Sequence, residues 1–301
     1  MALKNSQNEI GLYYYKCNNA GDMLNEVLID ELFHVKTEWQ SVATANLIAV
    51  GSVLERIIKG AKIDKATVKM QADVKTDSAI NVWGTGLMYD SPNFSEMSFV
   101  RPVNITALRG EKTRAACKKI LKKNVRCTLA DPGLLVPFLL DASKKPQKKY
   151  SLGIIPHFRE VLEPQFKVIN ENVEGSTIID MQGDIKEVAT QIEECECVIS
   201  TSLHGLVIAD AFGVPNMWCD LTHRLLGGTF KFKDYYSAYG IMAEPFNLDG
   251  GDYPTPEMVK LCYRVPHDMV LEKQKALIKA FPYQNEHTEA LYNSILRCEH
   301  Q

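Results

Sequence analysis

One 22-residue segment, Cys197–Trp218, constrains the fold of this chain more than any other part of the sequence. It reads CVISTSLHGLVIADAFGVPNMW, in which the β-branched pair Val198 and Ile199 leads into two hydroxyl residues that can cap a helix. An apolar helical pattern then begins at Leu203 and is closed by a glycine and a proline. This order predicts a strand, a helix and a second strand, which is the repeating unit of a parallel α/β sheet.

The start of the predicted helix is also a candidate reaction site. His204 falls in its first turn, where backbone N–H groups are free and the helix dipole favours a bound anion. A titratable imidazole beside an anion-binding helix end is a plausible acid catalyst. We therefore expect an anionic ligand at this helix end.

Composition restricts the class of protein. The chain has 301 residues, of which 46% are apolar, and this is enough for two globular domains. A net charge of −3 argues against a nucleic-acid partner. Eight scattered cysteines without a C-x-x-C pair indicate reduced thiols. With no secretory signal pattern and no apolar run near the ~20 residues of a membrane span, we expect a cytoplasmic protein with at most peripheral contact with the inner face of a membrane.

Strand-like and helical patterns alternate on both sides of a polar, basic run, SKKPQKK at 143–149, which we interpret as an interdomain linker. We predict two Rossmann-like, doubly wound α/β domains with a cleft between them, over residues 1–146 and 147–265. A helical tail over 266–301 is placed to pack back across the first domain. Predicted strands are Ile10–Tyr15, Leu47–Val50, Ile80–Trp83, Asn104–Leu108, Leu152–Ile155, Thr177–Ile179 and Val198–Ser200, with helices near Met23–Leu32, Val53–Ile58, Glu111–Lys122 and Ile185–Ile192.

Two cations are candidate anion ligands in the cleft. Arg109 ends a predicted strand and opens a helix, so it can bind a carboxylate or phosphate with two parallel hydrogen bonds. The alternative is a surface ion pair with Glu111 or Asp131. Lys231 lies in FKFKDYYSAYG, where it points the same way as Lys233 if the segment is extended and a different way if it is helical. A solvated surface lysine is the alternative there.

The sequence has no pattern that requires a metal or a bound cofactor. It contains no H-E-x-x-H motif, no Walker A loop and no EF-hand loop. We therefore expect neither a metal nor a cofactor.

The ordered set of segments resembles the polysaccharide pyruvyl transferase family. LHGLVIADAFGVP is the most specific segment, and the whole set is more specific than any member. The resemblance implies a glycosyltransferase-B-like enzyme that transfers an enolpyruvyl unit from phosphoenolpyruvate onto two hydroxyls of a sugar, leaving a cyclic ketal and phosphate. The matching segments, in chain order, are NNAGD, GTG, LRGEKTR, DPG, IPHF, STSLHGLVIADAFGVP and FKFKDYYSAYG.

The resemblance also implies roles for three residues. His204 matches the catalytic histidine, which we interpret as the general acid that protonates C3 of phosphoenolpyruvate. Arg109 matches an arginine that holds the donor. Lys231 matches a donor-site lysine, since both stand nine residues before a glycine.

The rest of the implied donor site is the first turn of the His204 helix, at Ser202 and Leu203. Some relatives carry an arginine where Ser202 stands here. Arg224 is the candidate to neutralise the donor carboxylate instead.

The implied acceptor is a sugar of a polysaccharide or of its lipid-linked oligosaccharide precursor. Asn18, Asn19, Asp22 and His157 are the candidate acceptor contacts, because polar groups suit sugar hydroxyls. Asp22 is also a candidate base.

Two other functions are compatible with the sequence. A nucleotide-sugar-dependent glycosyltransferase of the same architecture would need a ribose-binding carboxylate, and the nearest one to the His204 helix is Asp210 within it. A carbohydrate-binding protein without activity would not need His204, Arg109 and Lys231 together.

Overall fold

Two parallel β-sheets form the centres of two domains in the computed structural model, which describes residues 9–141, 143, 146–221, 227–263 and 265–298. The predicted class, α/β with two doubly wound Rossmann-like domains, is confirmed by these sheets. No helix within those ranges combines the length and the apolar character needed to cross a membrane.

The first domain contains a six-stranded sheet and a two-stranded ribbon. Its strands are β1 (Ile10–Tyr13), β2 (Thr37–Trp39), β3 (Leu47–Ile48), β4 (Ile58–Lys59), β5 (Ile80–Trp83), β6 (Ser98–Phe99), β7 (Val103–Leu108) and β8 (Thr128–Leu129). The sheet has the order β2-β1-β3-β5-β7-β8 with all neighbours parallel, and β4 pairs antiparallel with β6. The direction of winding reverses between β1 and β3.

The second domain contains a five-stranded parallel sheet. Its strands are β9 (Leu152–Ile155), β10 (Ser176–Ile178), β11 (Val198–Ser200), β12 (Asn216–Asp220) and β13 (Phe246–Asn247). They have the order β10-β9-β11-β12-β13, so the winding reverses between β9 and β11. In open sheets of this kind, ligands bind outside the carboxyl ends of the strands at such a reversal.

Helices cover the sheets. Short 3-10 segments occur at Leu54–Ile57, Phe94–Glu96 and Pro132–Leu139. The α-helices are α1 (Ala20–Phe33), α2 (Lys65–Ala72), α3 (Glu111–Leu121), α4 (Pro164–Asn172), α5 (Ile185–Glu193), α6 (Leu203–Ala211), α7 (Phe230–Ser237), α8 (Pro256–Cys262), α9 (His267–Ala280) and α10 (Glu286–Cys298).

One of the hydrophobic core clusters extends across both domains. The apolar 3-10 segment Pro132–Leu139 packs against both α1 and α6, and a single cluster of buried side chains runs from one domain into the other. The backbone N–H of Ala20 donates to the carbonyl of Met181 at 2.6 Å across the boundary. Because the boundary is packed, the space between the sheets is reduced to a local cavity.

The C-terminal helices α9 and α10 pack against the first domain. The indole N–H of Trp83 donates to the carbonyl of Leu277 at 2.9 Å, and the Phe281 ring stacks on Phe33 with 3.9 Å between centroids. The chain therefore returns to the first domain after the second one.

The segment FKFKDYYSAYG, for which the sequence left two conformations open, contains helix α7. Lys231 and Lys233 consequently point in different directions: Lys231 is buried, whereas Lys233 forms a partly exposed ion pair with Glu244 at 2.6 Å.

Candidate active site

A cavity lies between the carboxyl ends of the two sheets, where both windings reverse. The chain leaving β1 and β3 forms one wall, and the chain leaving β9 and β11 forms the other. The cavity is lined by Tyr15, Cys17, Asn19, Asp22, Ser52, Val53, Arg56, Met88, His157, Phe158, Arg159, Ser202, Leu203, His204 and Lys231.

The N-terminus of α6 opens into this cavity. The hydroxyl of Ser200 accepts from the backbone N–H of Ser202 at 2.9 Å and fixes the turn between β11 and α6. Ser202 occupies the N-cap position, but its side chain forms no capping hydrogen bond. The first N–H groups of a helix have no acceptor within it, so the uncapped end, at Ser202, Leu203 and His204, can bind an anion.

The His204 side chain reaches across the domain boundary to the first turn of α1. A Cβ placed on Gly21 would lie 1.9 Å from His204 Nδ1, so the close approach requires glycine there. His204 Nε2 is buried and has no hydrogen-bond partner within the described residues. Burial, with further contributions from Lys231 and Arg109, lowers the His204 pKa to about 3. The imidazole is therefore neutral at pH 7 when no ligand is bound.

Lys231 is a buried cation without a neutralising contact. Its side chain is 7% exposed and lines the cavity, and it forms no hydrogen bond or ion pair with any described residue. Burial and the charge of Arg109 lower its pKa to about 8, although the carboxylates of Asp22 and Glu160 act in the opposite direction. An anionic ligand would supply the partner that Lys231 lacks.

Arg109 lies behind the cavity wall and does not line it. Its Nε donates to Asp234 Oδ2 at 3.0 Å, and its terminal nitrogens donate to Ser52 Oγ and to the Leu87 carbonyl, each at 2.5 Å. The side chain is fully buried. The structure thus differs from the expected orientation into the cleft, because Asp234 of α7 holds the guanidinium in place. Direct contact between Arg109 and a donor stays a prediction.

Neither Glu111 nor Asp131, the two alternative partners expected for Arg109, forms an ion pair with it in the structure. Glu111 pairs with Arg114 at 2.5 Å instead. The buried Asp131 caps the 3-10 segment that follows it, accepting from the Gly133 N–H at 2.9 Å.

Asn19 and Asp22, two of the predicted acceptor contacts, line the cavity. Asn19 is buried and caps α1, and Asp22 accepts a hydrogen bond from the Cys17 thiol at 3.1 Å. Burial raises the pKa of Asp22. Asn18 is exposed and is not among the lining residues, so it lies outside the wall to which the sequence assigned it.

His157 also lines the cavity, on the second domain. Its backbone N–H donates to Thr201 Oγ1 at 2.8 Å, which joins the turn after β9 to the turn after β11. Burial and the charges of Lys231, Arg159 and His204 lower the His157 pKa to about 3. Arg224, the predicted replacement for an arginine at position 202, lies outside the described residues.

The sequence did not identify two arginines in the cavity, Arg56 and Arg159. Arg56 lies over the ring of Tyr15, and Arg159 over the ring of Phe158, at 5.4 and 5.5 Å from the ring centroids. Arg159 follows His157 by two residues, so its position after a strand was a usable signal. Arg56 lies in a 3-10 turn that carries no such signal.

The comparison with known protein families supports the expected resemblance. A model of the polysaccharide pyruvyl transferase family matches residues 75–223. Over these residues the chain is similar to polysaccharide pyruvyl transferases. The matched range contains Arg109, His157 and His204, whereas Asp22 and Lys231 lie outside it.

Two relatives agree with a match along most of the chain. The chain is 28% identical over 256 residues to the uncharacterized protein L143 of Acanthamoeba polyphaga mimivirus, covering 82% of this chain and 80% of that protein. It is 29% identical over 237 residues to the succinoglycan biosynthesis protein ExoV of Rhizobium meliloti (strain 1021), covering 77% of this chain and 66% of ExoV.

A search of solved structures finds the spinosyn rhamnosyltransferase SpnG, with a TM-score of 0.34 and 10% identity over 96% of both chains. A likeness at this level adds nothing to the fold assignment, which depends on the two sheets themselves.

Asp210, the carboxylate considered for a nucleotide-sugar reaction, is part of the protein core. It is fully buried and accepts hydrogen bonds from Tyr235 at 2.7 Å, Asn216 at 2.6 Å and Tyr263 at 3.0 Å. It is not available to bind a ribose. In the part of the chain that the structure describes, no three His, Cys, Asp or Glu side chains are grouped to hold a metal ion.

Proposed function

We propose that the chain transfers the enolpyruvyl unit of phosphoenolpyruvate onto two hydroxyls of a sugar and releases phosphate. The observation that carries the proposal is the meeting of an unpaired Lys231, an unpartnered His204 Nε2 and the uncapped α6 N-terminus in one cavity. The match to the family model and the similarity to ExoV support pyruvyl transfer in general. The donor, the acceptor and the residue roles below are our proposal.

Lys231 and the α6 N-terminus bind the donor phosphate. Both are positive, and neither has a hydrogen-bond acceptor within the described residues. Binding of the phosphate therefore breaks no hydrogen bond within the protein. In a partly dehydrated cavity such interactions are stronger than they would be in water.

Donor binding also prepares His204. The ligand-free pKa of about 3 makes His204 a poor proton donor, because two neighbouring cations and burial disfavour the imidazolium. A bound phosphate introduces negative charge and raises this pKa. The imidazole therefore takes up a proton together with the donor, and Nε2 is the nitrogen to which we assign it.

The reaction then proceeds in two additions. His204 gives its proton to C3 of the enol, and the first sugar hydroxyl adds to C2 and loses its proton to Asp22. The second hydroxyl adds to C2 as the bond between C2 and the phosphate oxygen breaks. Asp22 passes the first hydroxyl proton to the departing phosphate, and the proton of the second hydroxyl restores His204.

The acceptor occupies the outer part of the cavity. Asn19, Asp22 and His157 line the cavity and offer groups that hydrogen-bond sugar hydroxyls. The raised pKa of Asp22 makes it a stronger base than an exposed aspartate. We propose a sugar of a lipid-linked polysaccharide precursor as the acceptor.

The test is a turnover assay with phosphoenolpyruvate and a series of defined sugars. We expect phosphate release and a product heavier than the acceptor by pyruvic acid minus water. His204→Ala should lower the rate by about 10²–10⁴ while the protein still binds the donor. His287→Ala, which removes an exposed histidine on α10, is the matched control and should leave the rate unchanged. Full turnover by His204→Ala would remove His204 from the mechanism, and no phosphate release with any sugar would argue against the donor.

A further inference from the structure

The donor that we propose has two anionic groups, and the groups assigned so far account for one of them. Lys231 and the α6 N-terminus serve the phosphate. The carboxylate needs a second positive group, and the residue at the N-cap of α6 is Ser202. A serine hydroxyl supplies no charge.

The turn after β9 lies directly beside Ser202. Strands β9 and β11 pair in register, with Ile155 opposite Ser200. The two turns that follow them are joined by the hydrogen bond from the His157 N–H to Thr201 Oγ1 at 2.8 Å. A side chain from residues 157–159 therefore enters the same wall of the cavity as a side chain at position 202.

Arg159 is the cation in that turn, and it is available. Three cations line the cavity among the described residues: Lys231, Arg56 and Arg159. Arg56 is already engaged, since its guanidinium forms an ion pair with Asp64 and a hydrogen bond with Thr67. Arg159 forms no ion pair within the same set of residues, and its side chain is exposed.

The guanidinium of Arg159 is also held in place. Its Cζ lies 5.5 Å from the Phe158 ring centroid, within the range of a cation–π contact, and its backbone N–H donates to His157 Nδ1 at 3.3 Å. Its charge adds to burial in lowering the pKa of both His157 and Lys231, which places it near the phosphate-binding lysine. No ion pair or side-chain hydrogen bond within the described residues occupies the guanidinium, so its N–H groups can bind a ligand.

We propose that Arg159 binds the carboxylate of the donor. A guanidinium matches a carboxylate with two parallel hydrogen bonds, a geometry that lysine does not offer. This inference depends on the proposed function, because it assigns the second anionic group of the same donor.

The test compares phosphoenolpyruvate with inorganic phosphate, which lacks the carboxylate together with the enol carbons. Binding of phosphoenolpyruvate and of inorganic phosphate is measured by calorimetry for the wild type, Arg159→Ala and Arg159→Lys. We expect Arg159→Ala to raise the Kd for phosphoenolpyruvate by about 10–100-fold, as for the loss of hydrogen bonds to a charged group, and to change the Kd for phosphate by less than about threefold. Arg159→Lys should recover only part of the loss. Retained phosphate binding shows that the variant is folded.

Arg114→Ala is the matched control, since Arg114 is partly exposed on α3, outside the cavity. Its two Kd values should equal those of the wild type. An unchanged phosphoenolpyruvate Kd in Arg159→Ala, an equal loss for both ligands, or a carboxylate-selective loss in Arg56→Ala instead would each overturn the assignment of Arg159. In those cases the wild type still binds and turns over the donor, so the proposed function stands. A wild type that does not bind phosphoenolpyruvate would overturn both.

Discussion

Arg109 and Lys231 are both buried cations beside the same cavity, yet their surroundings are opposite. Arg109 donates to a carboxylate, a hydroxyl and a carbonyl, and Asp234 completes the cluster by accepting from the N–H and the hydroxyl of Thr113. Lys231 has no hydrogen bond or ion pair among the described residues.

This difference separates a charge that is compensated within the protein from one that a bound anion could compensate. The Arg109 cluster joins the end of β7 in the first domain to α7 in the second, so it holds the domains at a fixed distance. Using Arg109 to bind a ligand would break contacts that the fold depends on. In the free protein the Lys231 ammonium group has no hydrogen bond or ion pair with a described residue. A bound anion would supply a partner of opposite charge. Such locally unfavourable groups are expected at functional sites.

The largest expected effect is the loss of stability when Arg109 is replaced. Arg109→Met leaves Asp234 buried without its cation, which typically costs about 3–5 kcal/mol. We expect the free energy of unfolding, measured with a chemical denaturant, to fall by that amount. The control is Arg109→Met combined with Asp234→Asn, which removes both charges and should recover part of the loss. If Arg109→Met instead kept its stability and lost only donor binding, Arg109 would be a ligand-binding residue after all.

Lys231→Met should raise the free energy of unfolding at pH 7, whereas Arg109→Met lowers it. The ammonium group is disfavoured by burial, and lowering its pKa from 10.5 to about 8 corresponds to about 3 kcal/mol. Because the folded pKa is below the unfolded one, this cost is present below pH 8 and disappears as the pH rises to 10.5. We expect Lys231→Met to unfold at a higher denaturant concentration at pH 7, with a smaller gain at pH 10, and to lose donor binding. A loss of stability at pH 7 would show that Lys231 has a stabilising partner.

The parts of the molecule that local sequence determines were predictable. The limits of Ile80–Trp83, Leu152–Ile155 and Val198–Ser200 are confirmed, because β-branched and apolar runs between turn residues specify short buried strands. The first turn of α6 follows from two hydroxyl residues before an apolar run. His204 could therefore be placed beside a helix N-terminus from the sequence alone.

The contacts between distant residues were not predictable. Arg109 and Asp234 are 125 positions apart, and no local pattern indicates that α7 meets the end of β7. Because such long-range contacts cannot be predicted from local sequence, Arg109 was expected in the cleft. For the same reason, two conformations stayed open for the segment of Lys231. The contact of Gly21 with His204 also joins two domains, so the sequence shows a glycine in a turn but not the imidazole that requires it.

The smallest expected effect is the pH dependence of donor binding, and it tests the comparison without altering the fold. Lys231, with a pKa of about 8, loses its charge above pH 8, whereas an arginine keeps its charge there. The Kd for phosphoenolpyruvate should therefore rise by up to about tenfold per pH unit between pH 8 and 10. The donor cannot cause this rise, because the second pKa of a phosphate monoester is near ~6 and the ligand is fully ionised throughout.

Lys231→Arg is the matched control for this measurement. It keeps a positive charge at the position but does not titrate below pH 10, so the part of the rise in Kd that Lys231 causes should be absent. A Kd that rises equally in the wild type and in Lys231→Arg would assign the titration to another group. A Kd that is flat in both would mean that the donor is held by charges that do not titrate, and the distinction between the two buried cations would then not extend to binding.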